Sequence, residues 1–178
     1  VGLGANLTRT LILFFVKDNI MHYHKEIICF FFVLYLQKKS LIRFNHDNFL
    51  MFPELELGQW IAAIAKEEGY TIEEVEYNFV DADKMLSLNR EYLNHDITTD
   101  IITFDYTETK ALKAEVYISF QALRKNAESY TQTIENECLR LLSHAILHCL
   151  GYNDKSNVQK QHMRSKEDDC INLFHVKH

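Results

Sequence analysis

Residues 137–151 read ECLRLLSHAILHCLG, a stretch with the pattern of a long helix packed into a core. Its apolar side chains recur every three or four residues, which places them on one face of a helix. They include Leu142, Ile146, Leu147 and Leu150. Gly151 follows as a stop signal, because glycine readily adopts the left-handed conformation that ends a helix. The pattern predicts a buried helix from about Ile134 to Leu150.

Two histidines in this helix, His144 and His148, are four residues apart. At about 100° per residue, this spacing brings the second ring to within roughly 40° of the first. Both imidazoles can therefore reach one cation, and neutral imidazole is a good zinc ligand. Two histidines that simply pack in a core would show the same spacing, so the pair alone does not establish a metal site.

A third ligand is expected just beyond the helix, where Gly151 turns the chain back over the helix end. We predict that Asp154 supplies it as a carboxylate oxygen, although spacing alone leaves Asn153 and His162 open. Three protein ligands leave a fourth position for water, which is the arrangement of catalytic rather than structural zinc. Ala145 stands where a His-Glu-x-x-His peptidase has its catalytic glutamate, so a peptidase is disfavoured.

From residue 41 onward, the remaining patterns predict an α+β fold. Alternating or short apolar runs predict strands at about 41–44, 75–80, 101–106 and 115–120. Helical spacing and capping residues predict helices at about 55–68, after Asp81, after Ser119, over 134–150 and through Leu173. We therefore expect a small mixed sheet of about four strands packed with about five helices, with the metal site at the end of a core helix.

The composition is that of an ordinary globular domain, with 178 residues, 47% hydrophobic residues and a formal net charge of −6. This charge argues against a protein that coats nucleic acid through positive charge, but not against an enzyme that meets RNA in one cleft. The four cysteines form no Cys-x-x-Cys pair; they are Cys29, Cys138, Cys149 and Cys170. This usage is typical of reduced thiols, so we expect a cytoplasmic protein.

Two apolar runs lie near the start, Leu11–Val16 and Ile27–Leu36, and charged residues and histidines separate them. Neither reaches the roughly 20 residues that span a bilayer, and no small-residue cleavage site of a signal peptide follows them. We interpret residues 1–40 as an N-terminal extension of unknown role that the core activity does not need. A membrane-associated anchor is the alternative, but no stable membrane association is expected.

The histidine motif resembles that of a known family. Residues 144–154, HAILHCLGYND, are similar to the His-Gly-x-Leu-His-Leu-x-Gly-Tyr-Asp-His motif of the YbeY endoribonuclease family. Residues 88–104, LNREYLNHDITTDIITF, look like its Leu-Asn-x-x-Tyr-Arg-x-x-Asp…Thr-Asp-Val-Leu-Ser-Phe segment. Residues 114–119, AEVYIS, resemble its Gly-Asp-Ile-x-Ile-Ser strand. The resemblance covers about residues 41–174, and the motifs follow one another in the family's order.

This resemblance implies a single YbeY-like domain at residues 41–178 that cleaves single-stranded RNA, in 16S rRNA maturation and ribosome quality control. It implies one Zn²⁺ per chain, held by His144, His148 and Asp154, and a metal-activated water with no catalytic side chain that the sequence identifies. Ribosomal RNA and the small ribosomal subunit are the implied partners. The alternative is a ribosome-assembly factor in which zinc is mainly structural and cleavage activity is small.

Two departures from the family pattern bear on the chemistry. Asp154 replaces the usual histidine, and its oxygen donor and negative charge predict a less Lewis-acidic metal with a different preference among divalent ions. Leu93 replaces an arginine, so any phosphate contact of that arginine is lost or moved. Candidate substitutes are Arg90, Lys113, Arg124 and Lys125, for each of which a solvated surface charge is the simpler interpretation.

Other candidates are less specific. Glu115 and Asp105 are possible general bases, and both also have a structural interpretation. Tyr106, Tyr117 and Tyr130 could stack on RNA bases, although core packing is the commoner use of such rings.

Overall fold

The computed structural model describes residues 41–46, 52–93 and 99–177. The predicted N-terminal extension, residues 1–40, lies outside the described residues. The elements are, in chain order, β1 (Ile42–Asn45), α1 (Glu54–Glu67), β2 (Thr71–Val80), α2 (Ala82–Leu88), a π-helical turn (Asn89–Leu93), β3 (Ile101–Asp105), β4 (Ala111–Ser119), α3 (Phe120–Ser129), α4 (Ile134–Cys149) and α5 (Asn157–Lys177).

In this part of the chain, the four strands form one mixed sheet with the order β1-β2-β4-β3. β1 pairs in parallel with β2, and β2 pairs in parallel with β4. β3 runs antiparallel to β4 at the edge of the sheet. Parallel neighbours need a crossover connection, and α1 lies in the one between β1 and β2. The predicted α+β class, with about four strands and about five helices, is confirmed.

Two strands are longer than the sequence pattern predicted. β2 begins at Thr71 rather than near Val75, and β4 begins at Ala111 rather than near Glu115. The two extensions pair with each other, because Thr71 lies opposite Ala111. Strand formation depends on the neighbouring strand as well as on side-chain alternation. Pairing between distant segments therefore decided where these strands begin.

The core lies between one face of the sheet and helices α1, α4 and α5. Two large buried aromatic side chains connect these layers through their polar tips. Trp60 Nε1 donates to the carbonyl of Cys170 at 2.7 Å. The Tyr77 hydroxyl donates to the carbonyl of Leu142 at 3.0 Å, so buried polar groups are satisfied. The Tyr77 hydrogen bond joins β2 to α4 two residues before His144. It therefore helps to fix the helix that carries both histidines.

The observed helix caps and the state of the cysteine thiols agree with the predictions from the sequence. Asp81 accepts a hydrogen bond from the N–H of Lys84 at 2.7 Å, and Ser119 accepts one from Ala122 at 3.3 Å, which confirms both predicted caps. The described cysteines are free and buried, and burial raises the pKa of each thiol to about 12. They therefore pack as protonated, weakly polar groups. Within the described residues, no helix has both the length and the apolar character for a membrane crossing.

Candidate metal centre

Helix α4 ends in the turn that the sequence predicts. Gly151 has a φ of +95°, in the left-handed region. Its N–H donates to the carbonyl of His148 at 2.9 Å, and the N–H of Tyr152 donates to that of Leu147 at 3.0 Å. These two bonds form a Schellman motif, which satisfies the last carbonyls of the helix and reverses the chain. The reversal brings Asp154 back toward the histidines.

The side chains of His144, His148 and Asp154 converge at this end of α4. Nε2 of His144 and Nε2 of His148 are 3.0 Å apart, and Oδ1 of Asp154 is 4.0 Å from Nε2 of His148. One ligand atom from each residue lies within 4.8 Å of the other two. In the described ranges, no other group of three His, Cys, Asp or Glu side chains has such spacing. The cluster could therefore hold a metal ion.

Asn153 and His162, the other candidates for the third ligand, have different contacts. Asn153 Nδ2 donates to the carbonyl of Gly151 at 3.2 Å. The His162 ring packs edge-on against Tyr152, with 5.3 Å between the ring centroids. These contacts leave Asp154 as the candidate that the turn brings to the histidine pair.

The Nδ1 atoms of the two histidines have hydrogen-bond partners that define the tautomer of each ring. Nδ1 of His148 lies 3.0 Å from the carbonyl oxygen of Tyr152. Nδ1 of His144 lies 2.6 Å from Oε1 of Glu167. A carbonyl and an ionised carboxylate only accept hydrogen bonds, so each Nδ1 carries the hydrogen. Each Nε2 then presents a lone pair, and both lone pairs point into the same space.

This donor set fits a divalent cation such as zinc. Two facing lone pairs at 3.0 Å repel each other unless a proton or a cation lies between them. Two Zn–N bonds of about 2.05 Å at a tetrahedral angle would place their nitrogens about 3.3 Å apart, close to the observed separation. Burial lowers the pKa of His148, and the neighbouring His144 lowers it further. The negative charge of Asp154 acts in the opposite direction, but the net shift is downward. The lowered pKa favours the neutral ring that ligates metal.

Glu167 of α5 is a site residue that sequence reasoning missed. Its side chain is only 3% exposed, and it orients His144 as a carboxylate commonly orients a metal-bound histidine. Met163, Cys170 and Phe174 lie on the same helical stripe and are all buried. Glu167 is the charged member of that stripe. A charge in a buried stripe indicates a polar partner, and this signal could have identified Glu167.

Tyr152 anchors the turn that follows α4. Its hydroxyl donates to Oε1 of Glu68 at 2.8 Å, and Nζ of Lys166 donates to the same oxygen at 3.0 Å. Nζ of Lys166 also lies over the Tyr152 ring, 5.3 Å from its centroid. The hydrogen bonds from Tyr152 and Lys166 lower the pKa of Glu68. The carbonyl that accepts the His148 hydrogen bond is therefore held in place by contacts to the end of α1 and to α5.

The two candidate general bases are outside the cluster. Glu115 lies on the sheet face opposite α4, because its neighbours Ala114 and Val116 point into the core and side chains alternate along a strand. Asp105 accepts a hydrogen bond from the N–H of Thr107 at 2.9 Å, which is a structural role in a turn.

Most of the candidate phosphate and base contacts are at the surface, and Tyr117 is half-buried. Lys113 pairs with Glu73 at 3.1 Å, which agrees with its interpretation as a solvated charge. Tyr106 and Tyr130 are 50% and 61% exposed, so core packing is the wrong interpretation for these two rings. Tyr117 packs against Phe104 on the face away from α4, with 5.9 Å between the ring centroids.

The fold and site define a small α+β protein with a candidate metal centre at the end of a core helix. The family described as Endoribonuclease YbeY has a model that matches residues 44–175. Endoribonuclease YbeY of Flavobacterium psychrophilum is 38% identical over 138 residues, which cover 77% of this chain and 99% of that protein. Endoribonuclease YbeY of Flavobacterium johnsoniae is 39% identical over 137 residues, which cover 76% of this chain and 99% of that protein. The chain belongs to the YbeY endoribonuclease family.

A solved structure supports the fold. The solution structure of TM1509 from Thermotoga maritima superposes with a TM-score of 0.58 and covers 76% of this chain and 90% of its own. The two sequences are 23% identical, so this likeness concerns the arrangement of helices and strands alone.

Proposed function

We propose that this chain is a single-strand-specific, metal-dependent endoribonuclease with one Zn²⁺ held by His144, His148 and Asp154. The observation that carries the proposal is the convergence of two imidazole lone pairs and one carboxylate at the end of a core helix. Membership of the YbeY endoribonuclease family supports RNA as the substrate. A three-ligand zinc site keeps a position open for water or substrate, as catalytic sites do.

When bound, zinc would supply Lewis acidity toward a phosphodiester oxygen or a water molecule. The protein's contribution is to hold the ligands rigidly. Glu167 and the Tyr152 carbonyl fix the two imidazole rings through their Nδ1–H groups. Burial of α4 prevents the rings from moving apart, because its apolar face is packed in the core. We assign no side chain as the general base.

The cellular role that we propose is 16S rRNA maturation and ribosome quality control in the cytoplasm, with the small ribosomal subunit as the partner. Its support is the resemblance to the family across three ordered motifs. The formal net charge of −6 implies that RNA contacts are confined to a local surface rather than spread over the whole protein.

Cleavage assays on a single-stranded RNA and on its duplex test this function. The protein would be compared with and without a chelator, with zinc restored, and beside His148→Ala. His175→Ala is the matched control, because His175 is exposed and near the end of α5. We expect cleavage of the single strand by wild type and His175→Ala, and its loss with chelator or in His148→Ala. Cleavage by wild type that is no faster than by His148→Ala, with different metal contents, would refute metal-dependent cleavage and favour an assembly factor with structural zinc.

A further inference from the structure

A row of buried and half-buried charged side chains extends along α4 from Glu137 to the histidines. Glu137, Arg140 and His144 are three and four residues apart, so they share one face of the helix with His148. Glu137 is 1% exposed, and the Arg140 guanidinium binds it with two hydrogen bonds. Nε of Arg140 donates to Oε2 of Glu137 at 2.8 Å, and Nη2 donates to Oε1 at 2.6 Å. This bidentate geometry fixes the plane of the guanidinium.

The same guanidinium faces Glu167, the carboxylate that orients His144. Nη1 of Arg140 is 3.8 Å from Oε1 of Glu167, the oxygen that accepts the His144 hydrogen bond. Nη2 of Arg140 also lies 3.5 Å from Oδ2 of Asp100. Glu137 therefore holds Arg140, Arg140 faces Glu167, and Glu167 contacts the histidine.

The Glu167 carboxylate has one oxygen without a hydrogen bond in the described part of the chain. Its Oε2 is buried and has no hydrogen-bond partner among the described residues. Nε of Arg164 lies 3.8 Å from this oxygen, but the Arg164 side chain is 59% exposed and shares its charge with solvent. An ionised carboxylate in such a position is costly unless a nearby cation compensates it. Arg140 is the more deeply buried of the two guanidiniums, and arginine does not lose its proton.

We propose that Arg140 is a positioning residue of the metal centre: held by Glu137, it keeps Glu167 in place as the hydrogen-bond acceptor of His144. This inference rests on the proposed metal centre, because its consequence is the strength of metal binding. Without the positive charge, the Glu167 side chain turns toward solvent, and the His144 ring loses the partner that fixes its tautomer. Loss of such an outer partner typically lowers metal affinity by about 10–100-fold.

Zinc affinity, measured by competition with a chromophoric chelator, tests the proposal on the full chain. The variants are Arg140→Gln, Glu167→Gln and the double variant. We expect each single substitution to weaken Zn²⁺ binding by about 10–100-fold. We expect the double variant to bind about as weakly as Glu167→Gln alone, because Arg140 acts through Glu167 and coupled residues are not additive. Arg140→Lys, which keeps the charge, should recover part of the affinity.

Arg43→Gln is the matched control. Arg43 also pairs with two glutamates, Glu74 at 2.9 Å and Glu76 at 3.4 Å, but at the surface of the sheet. It should leave the zinc affinity unchanged. If Arg140→Gln fails to fold by circular dichroism, the pair Glu137→Gln with Arg140→Gln replaces it, since this pair leaves no uncompensated Glu137.

The outcomes separate the two proposals. A wild-type protein that binds no zinc would overturn the metal centre itself. A wild type that binds zinc, with unchanged affinity in Arg140→Gln, would overturn the role of Arg140 alone. If the losses of zinc affinity in the two single variants multiply in the double variant, the role of Arg140 is also overturned, because Arg140 would then not act through Glu167.

Discussion

Replacing Gly151 with alanine should lower the free energy of unfolding by about 1–2 kcal/mol. Gly151 has a φ of +95°, and other residues adopt this region at a cost of about 1–3 kcal/mol. An added Cβ would meet no atom within 4 Å, so no steric clash adds to this conformational cost. Alanine also lowers the conformational entropy of the unfolded chain, which raises the free energy of unfolding by about 0.4–1 kcal/mol and offsets part of this cost.

Gly58→Ala in α1 is the matched control. Its added Cβ also meets nothing within 4 Å, but Gly58 lies inside a helix, where alanine is favoured by about 0.5–1 kcal/mol. The same added methyl group should therefore change stability in opposite directions at the two sites. Urea unfolding of the full chain with a chelator present measures both changes without a contribution from bound metal. A Gly151→Ala protein as stable as wild type would refute our explanation of how α4 ends.

Three further predictions concern the metal and the anchored turn. Zn²⁺ at about one hundred times its Kd should raise the free energy of unfolding by about 2.7 kcal/mol in wild type and much less in His144→Ala; equal gains in urea unfolding would contradict the ligand assignment. Tyr152→Phe should lower the free energy of unfolding by about 0.5–1.5 kcal/mol, because the hydrogen bond to Glu68 is lost, and no change would exclude the hydroxyl as an anchor. Hydrogen bonds from Tyr152 and then Lys166 lower the pKa of Glu68, so its stabilising contribution is present above the ordinary value of 4.5 and is lost as the pH falls through the lowered pKa. Glu68→Gln should therefore lose less stability than wild type when urea unfolding is followed from about pH 6 to about pH 3, and parallel curves would contradict this.

Sequence alone was sufficient for the features whose partners are close along the chain. The apolar face of α4, the stop at Gly151 and the caps at Asp81 and Ser119 all depend on interactions within about five residues. The helix period likewise brings His144 and His148 together. Backbone dihedral preferences and helical spacing act over this range, so local patterns predicted these features correctly.

Contacts between distant segments were decided only by the tertiary structure. Glu167 reaches His144 across 23 residues, and Tyr77 reaches the Leu142 carbonyl across 65. The early starts of β2 and β4 depend on their mutual pairing. Spacing also left the third candidate ligand open, and only the positions of the side chains in the structure show that Asp154 lies beside the two histidines. Such contacts depend on which segments pack together, and no local dihedral preference encodes that choice.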